Sequence, residues 1–183
     1  MRIISGKFKG VRINYLKTNV TRPLKDSVKE NIFNILFHSN EISIEIKNAN
    51  ILDMYSGVGS FGLECISRGA KKVTFVEQDL KALKILNENL NKLKIHSQAV
   101  VIKKIDDLKL KNEKFNIFFF DPPFKDKKFI ENLDNIKSSK IFSKKNTIII
   151  HRETKTEEKL NLYFDPILTR EYGRSKIIFG SFN

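Results

Sequence analysis

The sequence predicts an α/β fold: a doubly wound, mostly parallel sheet with a C-terminal antiparallel hairpin strand, preceded by a small N-terminal extension. Strand-like apolar runs alternate with helical runs from about Asn48, a pattern typical of parallel sheets covered by helices on both faces. A glycine-rich loop joins the first of these strands to its helix, as in open sheets that bind ligands at the carboxyl ends of their strands. The chain ends on two β-rich runs around Tyr172-Gly173, which predicts the antiparallel strand.

The first 47 residues are predicted to form an extension made of a β-hairpin and a helix. RIISGKFKGVRINYL, residues 2–16, has two β-rich runs around a turn. TNVTRP then interrupts the pattern, because residues before a proline favour extended backbone. From about Lys25 to Phe37, a helical face carries Val28, Ile32, Ile35 and Leu36. This extension, 1–47, has no evident core of its own and precedes a main domain over 48–183.

The main domain is predicted to alternate strands and helices. Strands are predicted at 48–56, 71–79, 98–106, 114–124 and 146–153, followed by a hairpin within 165–183. Helices are predicted at 61–70, 80–93 and 127–136. The fourth strand ends in FFFDPPF, and its ladder must stop at Asp121 because Pro122 and Pro123 have no N–H to donate. The prolines make the next residues a stiff loop that holds one carboxylate and one aromatic ring at the carboxyl edge of the sheet.

Length and composition restrict the class of protein. The chain has 183 residues, enough for one domain, and no apolar run approaches a membrane span or a signal peptide. Its single cysteine, Cys65, excludes internal disulfides and multi-cysteine zinc sites, and no metal site is predicted. We interpret Cys65 as a packing residue in a protein of the reducing cytoplasm. The net charge of +13 fits either a nucleic-acid partner or a genome rich in lysine codons.

The glycine loop, LDMYSGVGSFG, predicts a cofactor site. Gly57, Gly59 and Gly62 have the G-x-G-x-x-G spacing of dinucleotide-binding folds, and Glu77, about 20 residues after Gly57, could bind ribose hydroxyls. Tight strand–helix packing would require the same glycines, and an NAD-dependent oxidoreductase would share the whole pattern. Asp53, however, stands just before the loop. A carboxylate there suits the ammonium of S-adenosylmethionine and suits pyrophosphate badly, so we expect the methyl donor.

The loop after the fourth strand predicts a clamp for an amino group. An exocyclic base nitrogen is a poor nucleophile because its lone pair is delocalised into the ring. Acceptors aimed at its N–H bonds, here Asp121 and the carbonyl of Pro122, can make it reactive. The two prolines limit the motion of that carbonyl, and Phe124 can stack on a base that has left its helix. Asp-Pro-Pro is also ordinary turn chemistry, but the glycine loop on an earlier strand end favours the clamp.

The sequence resembles the bacterial methyltransferases that modify the N2 amine of a guanine in small-subunit ribosomal RNA. The matching stretches are RIISGKFKG, TRPLKDSVKENIFNIL, ILDMYSGVGSFGLECISRGA, VEQD, FFFDPPF and YGRSKIIFG. The glycine loop and DPPF are shared with many amino methyltransferases, whereas the N-terminal stretches are more specific to this family. Two departures, Leu24 where threonine is frequent and Lys29 where arginine is frequent, affect the region expected to choose the substrate.

The resemblance implies a Rossmann-like sheet, S-adenosylmethionine as cofactor, and a role for each matching residue. The cofactor would contact Asp53, Tyr55, Gly57, Gly59, Glu77, Gln78 and Asp106. Either Asp106 or Asp107 could meet the adenine, and we choose Asp106. The catalytic loop would be Asp121, Pro122, Pro123 and Phe124. RNA would contact Arg2, Lys7, Lys9, Arg12 and Arg22.

The function that these features predict is methyl transfer to a guanine N2 amine by a cytoplasmic monomer, acting on small-subunit ribosomal RNA or an assembling subunit. Three alternatives stay open: adenine-N6 methylation of DNA or RNA, an NAD-dependent oxidoreductase, and a non-catalytic RNA-binding protein. Of the three histidines, His38 and His96 are expected to be solvated. His151 ends a strand at the same edge as DPPF and could line the site.

Overall fold

The computed structural model describes residues 1–16, 24–105 and 113–183. Within them the strands form one seven-stranded sheet in the order β3-β2-β1-β4-β5-β7-β6. The strands are β1 Asn50–Met54, β2 Lys72–Val76, β3 Ala99–Ile102, β4 Phe115–Phe120, β5 Phe142–Glu153, β6 Asp165–Tyr172 and β7 Ser175–Ser181. The helices are α1 Asp26–His38, α2 Ser60–Ser67, α3 Leu80–Leu93 and α4 Phe129–Ser139.

The first five strands run parallel, and β7 lies antiparallel to both β5 and β6. The chain builds outward from β1 through β2 to β3, then returns to place β4 on the other side of β1. That reversal makes the β1–β4 boundary the switch point at which open sheets form a ligand crevice. In the register of this pair, Met54 lies opposite Phe120. The loops after these two residues are therefore brought to one edge.

The core lies on both faces of the sheet, because alternate strand residues point to opposite sides. On one face, Ile51 and Phe119 pack in a cluster shared with α1, α2 and α3. On the other, Leu52 and Phe118 pack with residues of α4 such as Leu133. No helix among the described residues is long and apolar enough to cross a membrane.

The predicted fold class is confirmed, including the mostly parallel sheet and the C-terminal hairpin around Gly173. Individual elements are shorter or longer than predicted by a few residues; β5 begins at Phe142 instead of residue 146. Helix α3 has the bounds predicted for it. It begins where the Asp79 side chain accepts a hydrogen bond from the Ala82 N–H at 2.8 Å.

The predicted N-terminal hairpin is present, and its pairing is short. The two runs meet at one antiparallel bridge, between Arg2 and Arg12, and form no extended ladder. Ile3 and Ile13 are buried in the same cluster as α1 and the sheet residues. The packing of the extension on the sheet explains how it is ordered without a core of its own. The division of the chain into domains 1–47 and 48–183 stays a prediction.

Candidate functional site

A cavity of about 960 Å³ opens at the carboxyl edge of the sheet, where β1, β2 and β4 end. The glycine loop, the DPPF loop and the start of the chain all contribute to its walls. Of the predicted cofactor and catalytic residues, those that line it are Asp53, Tyr55, Gly57, Glu77, Gln78, Asp121, Pro122, Pro123 and Phe124. The two strand-end motifs, distant in sequence, thus share one cavity. Arg22, Asp106 and Asp107 lie outside the described residues.

The three glycines of the loop have different structural roles. Gly57 has φ +55° and open space where a side chain would start, on the wall of the cavity. Gly59 does not line the cavity; its φ is +87°, and a Cβ there would lie 2.6 Å from Leu86. At Gly62 a Cβ would lie 2.4 Å from the ring of Phe75, so this glycine lets α2 pack against β2. Only Gly57 is placed where a ligand could approach the backbone closely.

Asp53 is a buried carboxylate, 1% exposed, at the base of the cavity. Its Oδ2 accepts a hydrogen bond from the Gly62 N–H at 2.9 Å. Burial raises the pKa of Asp53 well above its ordinary value; the bond from Gly62 opposes this, and the charges of Asp121 and Glu77 add to it. A carboxylate in such surroundings is stabilised by a cation placed next to it.

Glu77 ties the glycine loop to the start of α3. Its Oε2 accepts from the Gly57 N–H at 2.7 Å, and its Oε1 accepts from the N–H groups of Gln78 and Asp79, each at 2.8 Å. Both oxygens are therefore engaged with the backbone. A ribose bound here would share these oxygens or displace one of the amides.

Tyr55 connects the glycine loop to the opposite wall of the cavity. Its hydroxyl accepts a hydrogen bond from the Asn132 side chain of α4 at 2.8 Å. Burial, with smaller contributions from nearby acids, raises the pKa of Tyr55 to about 12. The phenol therefore stays neutral at physiological pH. Asn132 also lines the cavity and was not foreseen from the sequence.

Asp121 is held by His151, which lies at the end of β5 and is 5% exposed. The Asp121 Oδ1 lies 2.8 Å from His151 Nδ1, and His151 Nε2 lies 2.9 Å from the Ser175 hydroxyl. Opposite an ionised carboxylate, which only accepts hydrogen bonds, Nδ1 is the donor; a neutral ring would then accept at Nε2 from the Ser175 hydroxyl. The ring of Phe124 packs edge-on against the imidazole, with centroids 5.7 Å apart. His151 lines the cavity, and its role in a functional site stays a prediction.

Two acceptors of the DPPF loop face no donor among the described residues. These are the second oxygen of Asp121, Oδ2, and the carbonyl of Pro122. The next two carbonyls, of Pro123 and Phe124, accept hydrogen bonds from the buried Arg152. These are the two acceptors that the clamp hypothesis requires, and the described part of the chain leaves both without a donor.

The N-terminal arm is fixed through its backbone and leaves its basic side chains exposed. The Glu64 carboxylate on α2 accepts from the N–H groups of Ile4 and Ser5 at 2.7 and 2.9 Å. The Lys29 ammonium donates to the Arg2 carbonyl at 2.8 Å and lies 3.7 Å from Glu64. The predicted RNA-binding residues in the described part of the arm are exposed, namely Arg2, Lys7, Lys9 and Arg12.

Asn89 on α3 links this arm to the glycine loop. Its side-chain oxygen accepts from the Asn14 N–H at 2.8 Å, and its amide donates to the carbonyls of Asn14 and Val58, both at 3.1 Å. Asn89 is fully buried, and no sequence motif marked it. Outside the site, His38 and His96 are exposed as expected. Burial raises the pKa of the Cys65 thiol, in keeping with a packing role.

The fold and the two strand-end loops define the class: Rossmann-like folds of the methyltransferase type. A structure from Escherichia coli, provisionally described as a methyltransferase, matches with a TM-score of 0.83 and 26% identity, covering 100% of this chain and 98% of that one. A Haemophilus influenzae structure, provisionally described as a methylase, matches with a TM-score of 0.73 and 28% identity, covering 100% and 98%.

Within that class, the chain belongs to the family described as conserved hypothetical protein 95, whose model matches residues 1–181. Its relatives in Buchnera aphidicola and Haemophilus influenzae, both named ribosomal RNA small subunit methyltransferase D, are 40% identical over 126 and 129 residues. These matches cover 68% of this chain but 62% and 64% of the relatives. A Bacillus subtilis relative provisionally named rRNA methyltransferase YlbH is 30% identical, covering 86% of this chain and 85% of the relative.

Proposed function

We propose that the chain transfers a methyl group from S-adenosylmethionine to the exocyclic N2 amine of a guanine in small-subunit ribosomal RNA. The observation that carries the proposal is the meeting of the glycine loop, with Asp53 beside it, and the DPPF loop in one cavity. The names of the relatives support ribosomal RNA as the substrate, either naked or in an assembling subunit. A cytoplasmic, monomeric state stays a prediction.

The cavity suits S-adenosylmethionine in its charge and polarity. The buried Asp53 offers a carboxylate for the donor's ammonium, and Glu77 lies within reach of a ribose beside Gly57. The buried hydroxyl of Ser56, also on the cavity wall, has no hydrogen-bond partner among the described residues. When bound, the donor supplies an electrophilic methyl group on a sulfonium.

The residues of the chain would act mainly by orientation. Asp121 Oδ2 and the Pro122 carbonyl would accept the two N–H bonds of the amine, drawing its lone pair out of conjugation with the base. Phe124 would stack on the base. Proximity and alignment of this kind can contribute roughly 7–11 kcal/mol to lowering a barrier. The methylated amine is acidic enough to lose its proton to water, so a strong base is unnecessary.

The alternatives differ in what they would bind and modify. Adenine-N6 methylation would use the same clamp. An NAD-dependent oxidoreductase would have to place a pyrophosphate near the buried Asp53, at an electrostatic cost, and would have no use for DPPF. A non-catalytic RNA-binding protein would not need the exact positions of Asp121 and Pro122.

Calorimetry and a transfer assay together test the proposal. The protein should bind S-adenosylmethionine and not NAD, and should then move labelled methyl groups onto unmethylated small-subunit RNA or particles. NAD binding without binding of the methyl donor would contradict the proposal. RNA binding with no affinity for the donor would favour the non-catalytic alternative.

Gly57→Ala is expected to weaken binding of the methyl donor by at least about tenfold, since a methyl group would occupy the space where the ligand meets the backbone. Its effect on stability should be limited to roughly 1–2 kcal/mol, the cost of a left-handed alanine. Calorimetry and thermal unfolding measure the two effects. Gly62→Ala is the contrasting control, because its methyl group would meet Phe75 and mainly destabilise the fold. Unchanged donor affinity in Gly57→Ala would remove this loop from the cofactor site.

Replacing Arg2, Lys7, Lys9 and Arg12 together with alanine is expected to flatten the salt dependence of RNA binding. The slope of log K against log salt should decrease by roughly 0.7–0.9 for each phosphate that the variant no longer neutralises. Affinity measured by filter binding across a salt series gives the slope. The control makes the same charge change on the amino side of the sheet, away from the cavity, with exposed Lys47, Lys71, Lys144 and Lys145. If both variants show the wild-type slope, the arm does not bind RNA.

A further inference from the structure

The DPPF loop is held by a buried arginine that no sequence motif marked. We propose that Arg152, paired with Glu158, is a positioning residue for the amine clamp: it binds the carbonyls of Pro123 and Phe124 and so fixes how the Pro122 carbonyl and the Phe124 ring face the cavity. The inference rests on the proposed function for its kinetic consequence. Its structural consequence, the ordering of the loop, can be tested without it.

Arg152 makes contacts on three sides and is 1% exposed. Its Nη1 donates to the Pro123 carbonyl at 3.2 Å, and its Nη2 donates to the Phe124 carbonyl at 2.9 Å. Its Nε donates to both oxygens of Glu158, at 2.9 and 3.0 Å, and Nη2 donates to Glu158 as well. The guanidinium also lies over the ring of Phe129, 4.6 Å from the centroid.

The chemistry of the loop explains why an arginine is needed. Pro122 and Pro123 have no N–H groups, so this loop can be anchored only through carbonyls, side chains and the few amides after the prolines. The Asp126 N–H already donates to the Pro123 carbonyl at 2.8 Å. A planar guanidinium with five donors can reach two successive carbonyls and a carboxylate at once, which a lysine ammonium cannot do in the same geometry.

The engagement of two carbonyls determines which one is left for a substrate. Arg152 takes those of Pro123 and Phe124, and no described residue donates to that of Pro122. The preceding residue of β5, His151, holds the Asp121 carboxylate. Successive residues of β5 therefore fix the two halves of the clamp: His151 the acid, and Arg152 the loop after it.

A simpler interpretation is that Arg152 and Glu158 only stabilise the packing of the loop after β5. Removing one partner of a buried pair is costly on either interpretation, so loss of activity alone would not distinguish them. Two measurements on variants that stay folded distinguish the interpretations: the local order of the DPPF loop, and the effect of that order on kcat.

The experiment uses Arg152→Lys, which keeps the charge and loses the fork, and the charge-neutral double variant Arg152→Met with Glu158→Gln. The same Arg→Lys change at exposed Arg170, on the edge strand β6, is the control. Hydrogen exchange of the amides of residues 124–126 reports on the loop, and exchange of β1 and β4 amides reports on the fold. We expect the loop amides to exchange at least about tenfold faster in both Arg152 variants, with the strands unchanged.

Kinetics then show whether the order of the loop matters for the reaction. We expect kcat to decrease about 10- to 100-fold, as small misplacements of reacting groups do, with donor affinity within about twofold of wild type. Combined with Phe124→Ala, the effect of Arg152→Lys should be smaller than in the wild-type background, because part of its role is to place that ring.

Unchanged exchange at residues 124–126 would overturn the proposal whatever the activity. A decrease in kcat and donor affinity that follows a decrease in thermal stability would also overturn it. The same holds if the effects of Arg152→Lys and Phe124→Ala on kcat are fully additive. A wild-type protein that transfers no methyl group would count against the proposed function instead, and the exchange data would still decide whether Arg152 orders the loop.

Discussion

Asp121→Ala is expected to lower kcat by about 10²–10³-fold, the effect of removing one well-placed hydrogen-bonding group from a reacting centre. The carboxylate lines the cavity; its Oδ1 lies 2.8 Å from His151 Nδ1, and its other oxygen, Oδ2, has no donor among the described residues. Without it, the amine would keep its lone pair in the ring. Single-turnover assays with labelled donor measure the loss, and filter binding measures the RNA affinity.

Binding of RNA and of the donor should survive in this variant, because the predicted RNA contacts and donor contacts are made by other residues, in the arm and the glycine loop. Asp121→Asn is the companion variant: it keeps the shape and one acceptor, so its loss of kcat should be smaller than that of alanine. An Asp121→Ala protein that turns over at the wild-type rate would exclude the carboxylate from the clamp. Loss of RNA binding in step with turnover would indicate a role in binding instead.

Glu64→Ala is expected to destabilise the fold by about 3–5 kcal/mol, the cost of leaving a buried partner charge uncompensated. Lys29 and Glu64 are both fully buried. Burial lowers the pKa of Lys29, and the charge of Glu64 opposes that shift. The substitution would also leave the N–H groups of Ile4 and Ser5 without their acceptor. Because folded domains have a net stability of only about 5–15 kcal/mol, the arm is expected to detach or the chain to unfold.

Chemical denaturation measures this loss, and two variants serve as controls. Glu113→Gln breaks the half-exposed pair with Lys72 and should cost no more than about 1 kcal/mol. The double variant Lys29→Met with Glu64→Gln removes both charges and should recover part of the stability lost in Glu64→Ala. A Glu64→Ala protein as stable as Glu113→Gln would show that this buried pair does not anchor the arm.

The sequence predicted the sheet and the two loops at its carboxyl edge because both leave local signals. A continuous apolar run such as FNIFFF can only be a buried strand or a buried helix, and Pro122 and Pro123 just after it decide where it ends. The carboxyl ends of parallel strands share one edge, so the glycine loop and the DPPF loop were both predicted to lie at that edge. Both line the cavity.

The partners of isolated polar residues could not be predicted from the sequence. Arg152 with Glu158 and Asn89 with Asn14 and Val58 depend on how distant elements pack, and neither has a spacing that marks it. One weak signal existed: Arg152 lies two residues after the apolar run III of β5, and a charge buried there requires a counter-charge. The same limit applies to Lys29, which was left off the predicted apolar face of α1 but is buried there opposite Glu64.

The single bridge of the N-terminal arm has a similar cause. Backbone hydrogen bonds join its two runs, such as that from the Ile3 N–H to the Val11 carbonyl at 3.0 Å. The turn between the runs bonds to α2: the Lys7 N–H donates to the Ser67 carbonyl at 2.8 Å, and the Phe8 N–H donates to the Ser67 hydroxyl at 2.9 Å. A propensity for β structure predicts that the backbone N–H and C=O groups of the arm form hydrogen bonds, but it does not predict with which residues.

The central claim is that the protein methylates the N2 amine of a guanine, and identification of the nucleoside that carries the label tests this claim most directly. Labelled S-adenosylmethionine would be offered with unmethylated small ribosomal subunits, with their naked RNA and with duplex DNA, and the products digested to nucleosides. We predict label on N2-methylguanosine from the ribosomal substrates and none from DNA. Label on N6-methyladenosine or its deoxy counterpart would contradict the claim about the substrate, and the absence of label from a protein that binds the donor and ribosomal RNA would contradict the claim of catalysis.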